Sequence, residues 1–222
     1  MGAWSAFGRD LFEQMPLILT GLLNTLQLAV FISISGFLLS IFVFYLTLSK
    51  NSLIRNAINS YISFFIGMPL IVLLFLMYYG LPQWGLRLNP FTVAVIGFTL
   101  NVAAYNAAYL KTAFNGLDLT QLEAARAQGF SPLQTFRLII LPQVLRTSVP
   151  ALTNQVIGNF KDTSITFLIQ YTEFFARMQE LASSNFQFFK AYSLTALVYL
   201  LLVSVIVLVA RVIERRVLIP VA

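Results

Sequence analysis

The sequence contains no cysteine and no histidine. Disulfide cross-links, thiol nucleophiles and imidazole acid–base chemistry are therefore closed to it, as is zinc or haem binding through the usual ligands. Charge is scarce too: 10% of the 222 residues are Asp, Glu, Lys or Arg, whereas a soluble globular domain carries roughly a quarter. These absences remove most hydrolytic enzymes from consideration. What fills the space is apolar, at 59% of the chain, and that balance belongs to a membrane protein. The net charge of +6 does not point to nucleic acid, because bilayer proteins accumulate Lys and Arg on their cytoplasmic flanks for topological reasons.

The start, "MGAWSAFGRDLFEQMPLILTG", places Arg9, Asp10 and Glu13 before any long apolar run, so no cleaved signal peptide is expected. Its first residues approach the N-myristoylation pattern at Gly2, but the Ser falls one place early.

A helix crossing the hydrocarbon needs about 20 predominantly apolar residues. Five stretches qualify, over about 20–48, 57–81, 90–112, 147–169 and 191–212. Pro69 should bend the second, and Lys161 and Asp162 interrupt the fourth. Five spans put the termini on opposite sides. With the amino terminus outside, the cytoplasmic segments hold Lys50, Arg55, Lys111, Arg126, Arg137, Arg146, Arg211, Arg215 and Arg216, and the external ones only Arg9, Arg87, Arg177 and Lys190. The carboxyl terminus is therefore expected in the cytoplasm. The sequence predicts one all-α integral membrane domain over residues 1–222, with a polar cytoplasmic loop at about 113–143.

That loop contains "EAARAQGFSPLQTFRLIILP" (residues 123–142). Thr120 precedes Glu123 at capping-box spacing, and Ser131 with Gln134 repeats the device, with Pro132 where a missing N–H costs nothing. Gly129 between them suits a left-handed turn that stops the first helix. Pro142 and Pro150 bracket the entry to span four. Two short capped helices need a packing partner. A lipid-surface helix should be basic on one face and rich in large apolar residues. The small Ala residues and mixed charges of "TQLEAARAQG" suit a groove in another protein better.

Glu123, Ala124, Ala125, Gly129, Ile139, Leu141 and Pro142 match at every position the EAA signature of bacterial ABC importer permeases. The chain resembles the polar amino acid uptake subfamily (histidine, glutamine and arginine permeases) along nearly its whole length. Further matches lie in Gly67–Pro82, Pro150–Ser164 and the terminal Glu214–Arg216. The resemblance implies a type I ABC importer permease bundle in the bacterial cytoplasmic (inner) membrane, moving amino acids by alternating access. It implies as partners an ATPase subunit, a second permease subunit and an external solute-binding protein. The EAA loop would form coupling helices seated in a cleft of the ATPase, with Gly129 as the turn between them. No Gly is followed by four residues and GK[ST], so ATP and Mg are expected on the partner, with no cofactor here and no catalysis by this chain.

Lys161 and Asp162 fall roughly 17 Å into the fourth span, near the middle of a core of about 30 Å. A lone charge there costs at least about 2.5–3.5 kcal/mol, so both should face the bundle interior or a water-filled cavity. They either attend the carboxylate and amino groups of a substrate or pair with polar neighbours such as Asn154, Asn159 or Asn101. In the resembling family this Lys-Asp-Thr-Ser segment borders the substrate cavity. Thr163 and Ser164 either join that pathway or back-bond to their own helix. Asn101 and Tyr105, four apart on one face of span three, and Asn106 beside them are further candidates for contact with a zwitterion. A rival reading makes the chain a secondary carrier or channel with Lys161 and Asp162 as an ion relay.

The chain departs from the subfamily pattern at Ile66 and Met68, where Arg and Thr are usual, at Leu73 in place of Gln, and at Thr112 and Asn115 in place of Glu and Arg. These departures suit a heterodimer whose other permease carries the substrate contacts, or a divergent branch; a homodimer stays open. The external segment Gln170–Tyr192 reads as an interfacial helix, set either against the solute-binding protein or against its own bundle.

Overall fold

The computed structural model describes residues 3–218, so Gly2 lies outside the described part. Among the described residues every regular element is helical. The order is α1 (Ala3–Glu13), α2 (Met15–Thr47), α3 (Ser52–Gly67), α4 (Leu70–Phe75), α5 (Pro90–Asn115), α6 (Leu119–Ala127), α7 (Pro132–Thr135), α8 (Leu141–Asp162), α9 (Phe174–Asn185) and α10 (Phe188–Leu218). Wider π-type turns occupy Leu76–Gly80 and Phe136–Ile140, and tighter 3-10 turns occupy Leu81–Trp84 and Thr163–Ile169. The cause is solvent: a backbone in lipid must satisfy its polar groups within the segment, and a helix does so residue by residue.

Among the described residues three helices are long and apolar enough to cross a bilayer, Met15–Thr47, Pro90–Asn115 and Phe188–Val212; counting Ser52–Gly67 with Leu70–Trp84 as one broken span makes four. The break falls where Pro69 predicts it. α3 stops at Gly67, Met68 turns extended at φ −95° and ψ 129°, and its N–H closes on the Phe64 carbonyl. The fourth stretch differs from expectation. Pro142 and Pro150 do not bracket its entry but lie within α8, the first in the opening turn where no N–H is needed. α8 then ends at Asp162, and a 3-10 segment carries the chain to Ile169, where Gln170 at φ 64° closes it.

Packing divides the chain into two compact units, each assembled from separate stretches. One takes the chain up to Ile34 with Leu70–Phe98 and Val156–Leu208. Its core joins Phe7, Ile18, Phe174, Met178, Leu181 and Ala191. Phe7 thus buries one side of α1 while Arg9, Phe12 and Glu13 on the same helix stay exposed. The other unit takes Ser35–Pro69, Thr99–Gln155 and the chain from Val209. Phe44, Leu110, Phe136, Ile140 and Val144 form its centre.

Within that second unit α2 and α5 approach closely at Gly36. A Cβ there would stand 2.6 Å from Val102 Cγ1 and 2.8 Å from Val102 Cβ, too near for any rotamer to relieve. Gly36→Val should cost about 1–3 kcal/mol by overpacking, read as a lower thermal midpoint of the detergent-purified protein. Val102→Ala in the same chain should recover part of the loss, because it removes the crowding Cγ1 methyl while the Cβ remains.

Candidate functional site

The polar loop is built as two helices around one sharp turn. Asp118, not Thr120, caps α6: its carboxylate accepts the Thr120 N–H at 2.9 Å. The helix therefore starts before Thr120, which sits inside the first turn instead of capping it. The Thr120 N–H, and after it the Thr120 side chain, hold the Asp118 carboxyl below its usual range by hydrogen-bonding its charged form. At the other end the Phe130 N–H reaches the Ala125 carbonyl and the Gly129 N–H reaches that of Arg126, each at 3.0 Å. This is the paired closure of a Schellman motif, which needs a left-handed residue, and Gly129 supplies it at φ 78°. Ser131 and Gln134 form the expected reciprocal capping box, at 2.8 Å and 3.3 Å, with Pro132 in the first turn.

The loop has an anchored side and a free side. Leu122, Ala125, Phe136 and Ile140 are buried in the core around Phe44, and Phe136 meets the rings of Phe44 and Tyr45 at 5.8 Å and 4.8 Å. Glu123, Ala124, Arg126 and Ala127 are exposed, as are Leu119 and Leu133. Of the signature positions, Gly129 and Pro142 are also exposed, and Ile139 and Leu141 are half-buried. Gln143 bridges back to Gln121 at 2.9 Å, tying the start of α8 to α6.

Asn101 and Tyr105 share a face, as their spacing predicts, and that face meets the end of α3. The Asn101 amide donates to the Phe65 carbonyl at 3.0 Å. In an unbroken helix that carbonyl would take the N–H four residues on, which is Pro69 and has none. The Tyr105 hydroxyl reaches the next carbonyl, Ile66, at 3.5 Å. Both residues brace the break. Asn106 is buried with its Oδ1 unpaired among the described residues. Among the departures, Thr112 back-bonds to Ala108 at 3.0 Å, Leu73 is buried, and Asn115 ends α5 on the surface.

Lys161 and Asp162 close α8 instead of sitting in mid-helix. Lys161 in the last turn complements the helix dipole, and Asp162 opposes it. Both side chains are exposed. Neither Asn154 nor Asn101 supplies them with a hydrogen bond. Thr163 and Ser164 do back-bond, to the carbonyls of Phe160 at 2.7 Å and Lys161 at 2.9 Å.

The Gln170–Tyr192 segment holds a residue that sequence reasoning passed over. Glu173 is fully buried and caps α9, accepting the N–H groups of Phe175 at 2.8 Å and Ala176 at 2.7 Å. Its Oε2 also accepts the hydroxyls of Thr25 at 3.1 Å and Tyr199 at 3.3 Å, joining α9 to α2 and α10. Burial pushes the carboxyl up to about 7 against the downward pull of these donors. The one signal in the sequence is a lone acid directly before "FFAR", set among aromatics. α9 packs on its own unit through Phe174, Met178 and Leu181.

A family model described as "binding-protein-dependent transport system inner membrane component" matches residues 36–219. The chain is 38% identical over 205 residues to the probable amino-acid ABC transporter permease protein PatM of Vibrio harveyi, covering 91% of each chain. It is 34% identical to the L-cystine transport system permease protein TcyB of Bacillus subtilis, over 93% of this chain and 90% of that one. A crystal structure of an amino acid ABC transporter with histidines superposes with a TM-score of 0.84 at 29% identity, covering 93% of this chain and 96% of that one. The fold also matches a chain of the inward-facing MetNI methionine ABC transporter, with a TM-score of 0.77 at 21% identity.

Two outcomes test this geometry. Asn101→Leu strands the Phe65 carbonyl and should cost about 1–3 kcal/mol in thermal unfolding. Adding Pro69→Ala, which returns an N–H to that carbonyl, should restore most of it. For Glu173 the raised value of about 7 against an ordinary 4.5 means the fold favours the protonated form. Its contribution is therefore whole below about pH 4.5 and is lost as pH rises through 7, by at most about 3 kcal/mol. Amide hydrogen exchange of α9, corrected for intrinsic rates, should quicken over that window in the native chain and stay flat in Glu173→Gln.

Proposed function

The chain belongs to the binding-protein-dependent transport system inner membrane components, and we propose that it is the membrane-spanning subunit of an ABC importer that moves amino acids delivered by an external solute-binding protein. Energy comes from ATP hydrolysis on a separate ATPase subunit, which also holds the Mg. Relatives named as amino-acid, L-cystine and arginine permeases along about nine-tenths of the chain support the substrate class.

We read the chain as one permease domain with five spans, the fourth made of α8 and its 3-10 extension, the amino terminus outside and the carboxyl terminus in the cytoplasm. The bias of Lys and Arg supports this orientation. Two permease subunits, alike or different, enclose the pathway in the bacterial inner membrane.

The single observation that carries the proposal is the two-sided loop. Its buried side is fastened to the core around Phe44, so force on its free side, Glu123, Ala124 and Arg126, passes directly to α2, α5 and α8. ATP closure of the ATPase dimer draws the coupling helices together and opens the spans outward. Ile139, Leu141 and Pro142 join the loop to α8, and Gly129 sets the angle between α6 and α7. Lys161 and Asp162 then attend the carboxylate and amino groups of the substrate, with Thr163 and Ser164 shaping the backbone between them. Asn101 and Tyr105 border the same pathway while bracing the break at Pro69.

Gly129→Asp places a Cβ in a left-handed turn, a strain of at most about 1–2 kcal/mol, and adds charge to the docking face. In proteoliposomes carrying the complete transporter, uptake should fall at least about tenfold, a loss of about 1.4 kcal/mol in coupling. Substrate-stimulated hydrolysis should fall with it, while membrane insertion persists. Full stimulated hydrolysis and uptake in the variant would remove the coupling role from this loop.

A further inference from the structure

The chain turns from α9 into α10 through a phenylalanine in the left-handed region. Phe186 stands at φ 56°, a conformation that Gly or Asn adopts with far less strain than an aromatic residue. Packing inside the chain does not compensate: the residue is 81% exposed, and its ring meets Phe188 edge-on at 6.4 Å. The turn is nevertheless firmly held. Asn185 accepts the Gln187 N–H at 3.0 Å and donates to the Asp10 carboxylate of α1 at 3.1 Å. Lys190 adds a second tie, donating to Gln187 at 2.6 Å and standing 6.0 Å over the Phe7 ring of α1. A strained residue whose ring points outward from a fixed turn directs attention to what lies outside the chain.

Two more exposed rings sit on the elements that these contacts join, Phe189 at 80% and Phe12 at 78%. Both border membrane spans. Phe189 is the second residue of the apolar stretch Phe188–Val212, and Phe12 precedes the stretch Met15–Thr47 by about 5 Å at 1.5 Å per residue. Phe189 also shares one face of α10 with Leu200, about three turns on, and the exposed apolar stripe continues through Leu201 and Leu208. On α1 the buried Phe7 marks the inner side. Phe12 lies about 140° round the helix from it, and the exposed Arg9 and Glu13 lie about 200° and 240° round. An apolar flank and a charged flank side by side are the pattern of a helix lying at a membrane surface, hydrocarbon to one side and water to the other.

Exposed apolar patches of this kind meet either protein or membrane. Continuity with the stripe of α10 and segregation from Arg9 and Glu13 favour membrane. We propose that Phe12, Phe186 and Phe189 form an interfacial anchor that inserts into the boundary between headgroups and acyl chains in the leaflet at this end of the chain. α1 then lies on the membrane surface, fastened through Asp10 and Asn185 to the turn that enters α10. The strain at Phe186 is offset there, because insertion takes its ring out of water, a gain that Gly in the same turn would forgo.

The lack of cysteine makes the test direct. Phe12→Cys, Glu13→Cys, Phe186→Cys, Phe189→Cys and Leu201→Cys each carry one nitroxide in the full chain, reconstituted in vesicles of phosphatidylethanolamine and phosphatidylglycerol. Collision with oxygen, which concentrates in hydrocarbon, is compared with collision with a neutral nickel chelate, which stays in water. Oxygen should exceed nickel several-fold at positions 12, 186 and 189, as at the mid-span Leu201, and the order should reverse at Glu13. Opposite results at neighbouring positions 12 and 13 are not produced by a misfolded chain. Nickel exceeding oxygen at 186 and 189, with Leu201 still in lipid, would assign the rings to a partner protein in water and overturn the anchor. Exclusion of both reagents from 186 and 189 would assign them to contact with a second copy and also overturn it. Nickel reaching Leu201 as readily as Glu13 would overturn the spanning reading of α10 together with the anchor.

Discussion

The hydrogen bond from the Asn101 amide to the Phe65 carbonyl expresses the constraint on which the rest of this chain depends. Hydrocarbon offers no partner for a backbone polar group, so each place where a helix stops must be closed by the protein itself. Pro69 frees a carbonyl, and an amide on α5 takes it. Gly129 reverses the chain, and two N–H groups beyond α6 fold back on its last carbonyls. α9 begins with bare N–H groups, and the buried Glu173 carboxylate covers them. Polar residues in the spans are thus first accounts of interrupted backbone, and only the remainder are free for a solute.

This ordering separates residues that composition alone treats alike. Asn101, Thr163 and Glu173 each hold a nearby carbonyl or N–H. Among the described residues the Lys161 ammonium holds none, and the side chain is exposed. The polar loop around Gly129 obeys the same division in another form: its apolar side chains are spent on anchoring to Phe44, Leu110 and Val144, which leaves the Glu123 side as a rigid surface. A surface that is stiff on one side and free on the other can transmit displacement, where a mobile loop would absorb it.

Much of this was legible in advance because it is local. Gly129 at a left-handed turn, the Ser131–Gln134 box and the break at Pro69 follow from the conformational limits of single residues, and all three are present. The sequence spacing puts the α6 cap at Thr120 and the structure has it at Asp118, because both residue types cap well and the choice depends on where the preceding helix releases the chain. Pro142 and Pro150, expected to bracket the entry to span four, both lie inside the longer helix α8. Glu173 was passed over since its meaning lies in Thr25 and Tyr199, 148 and 26 residues away.

By itself the sequence determined that the chain is helical and apolar, where its turns fall and which signature its loop carries, since these depend on composition, on spacing and on the φ preferences of Gly and Pro. Only the tertiary structure decided which polar groups are already satisfied and which are not. Hydrogen-bond partners in a bundle come from different helices, and no spacing along one helix reveals what its neighbour presents. The difference between Asn101, which braces a broken helix, and Lys161, whose ammonium makes no hydrogen bond among the described residues, is a fact of packing.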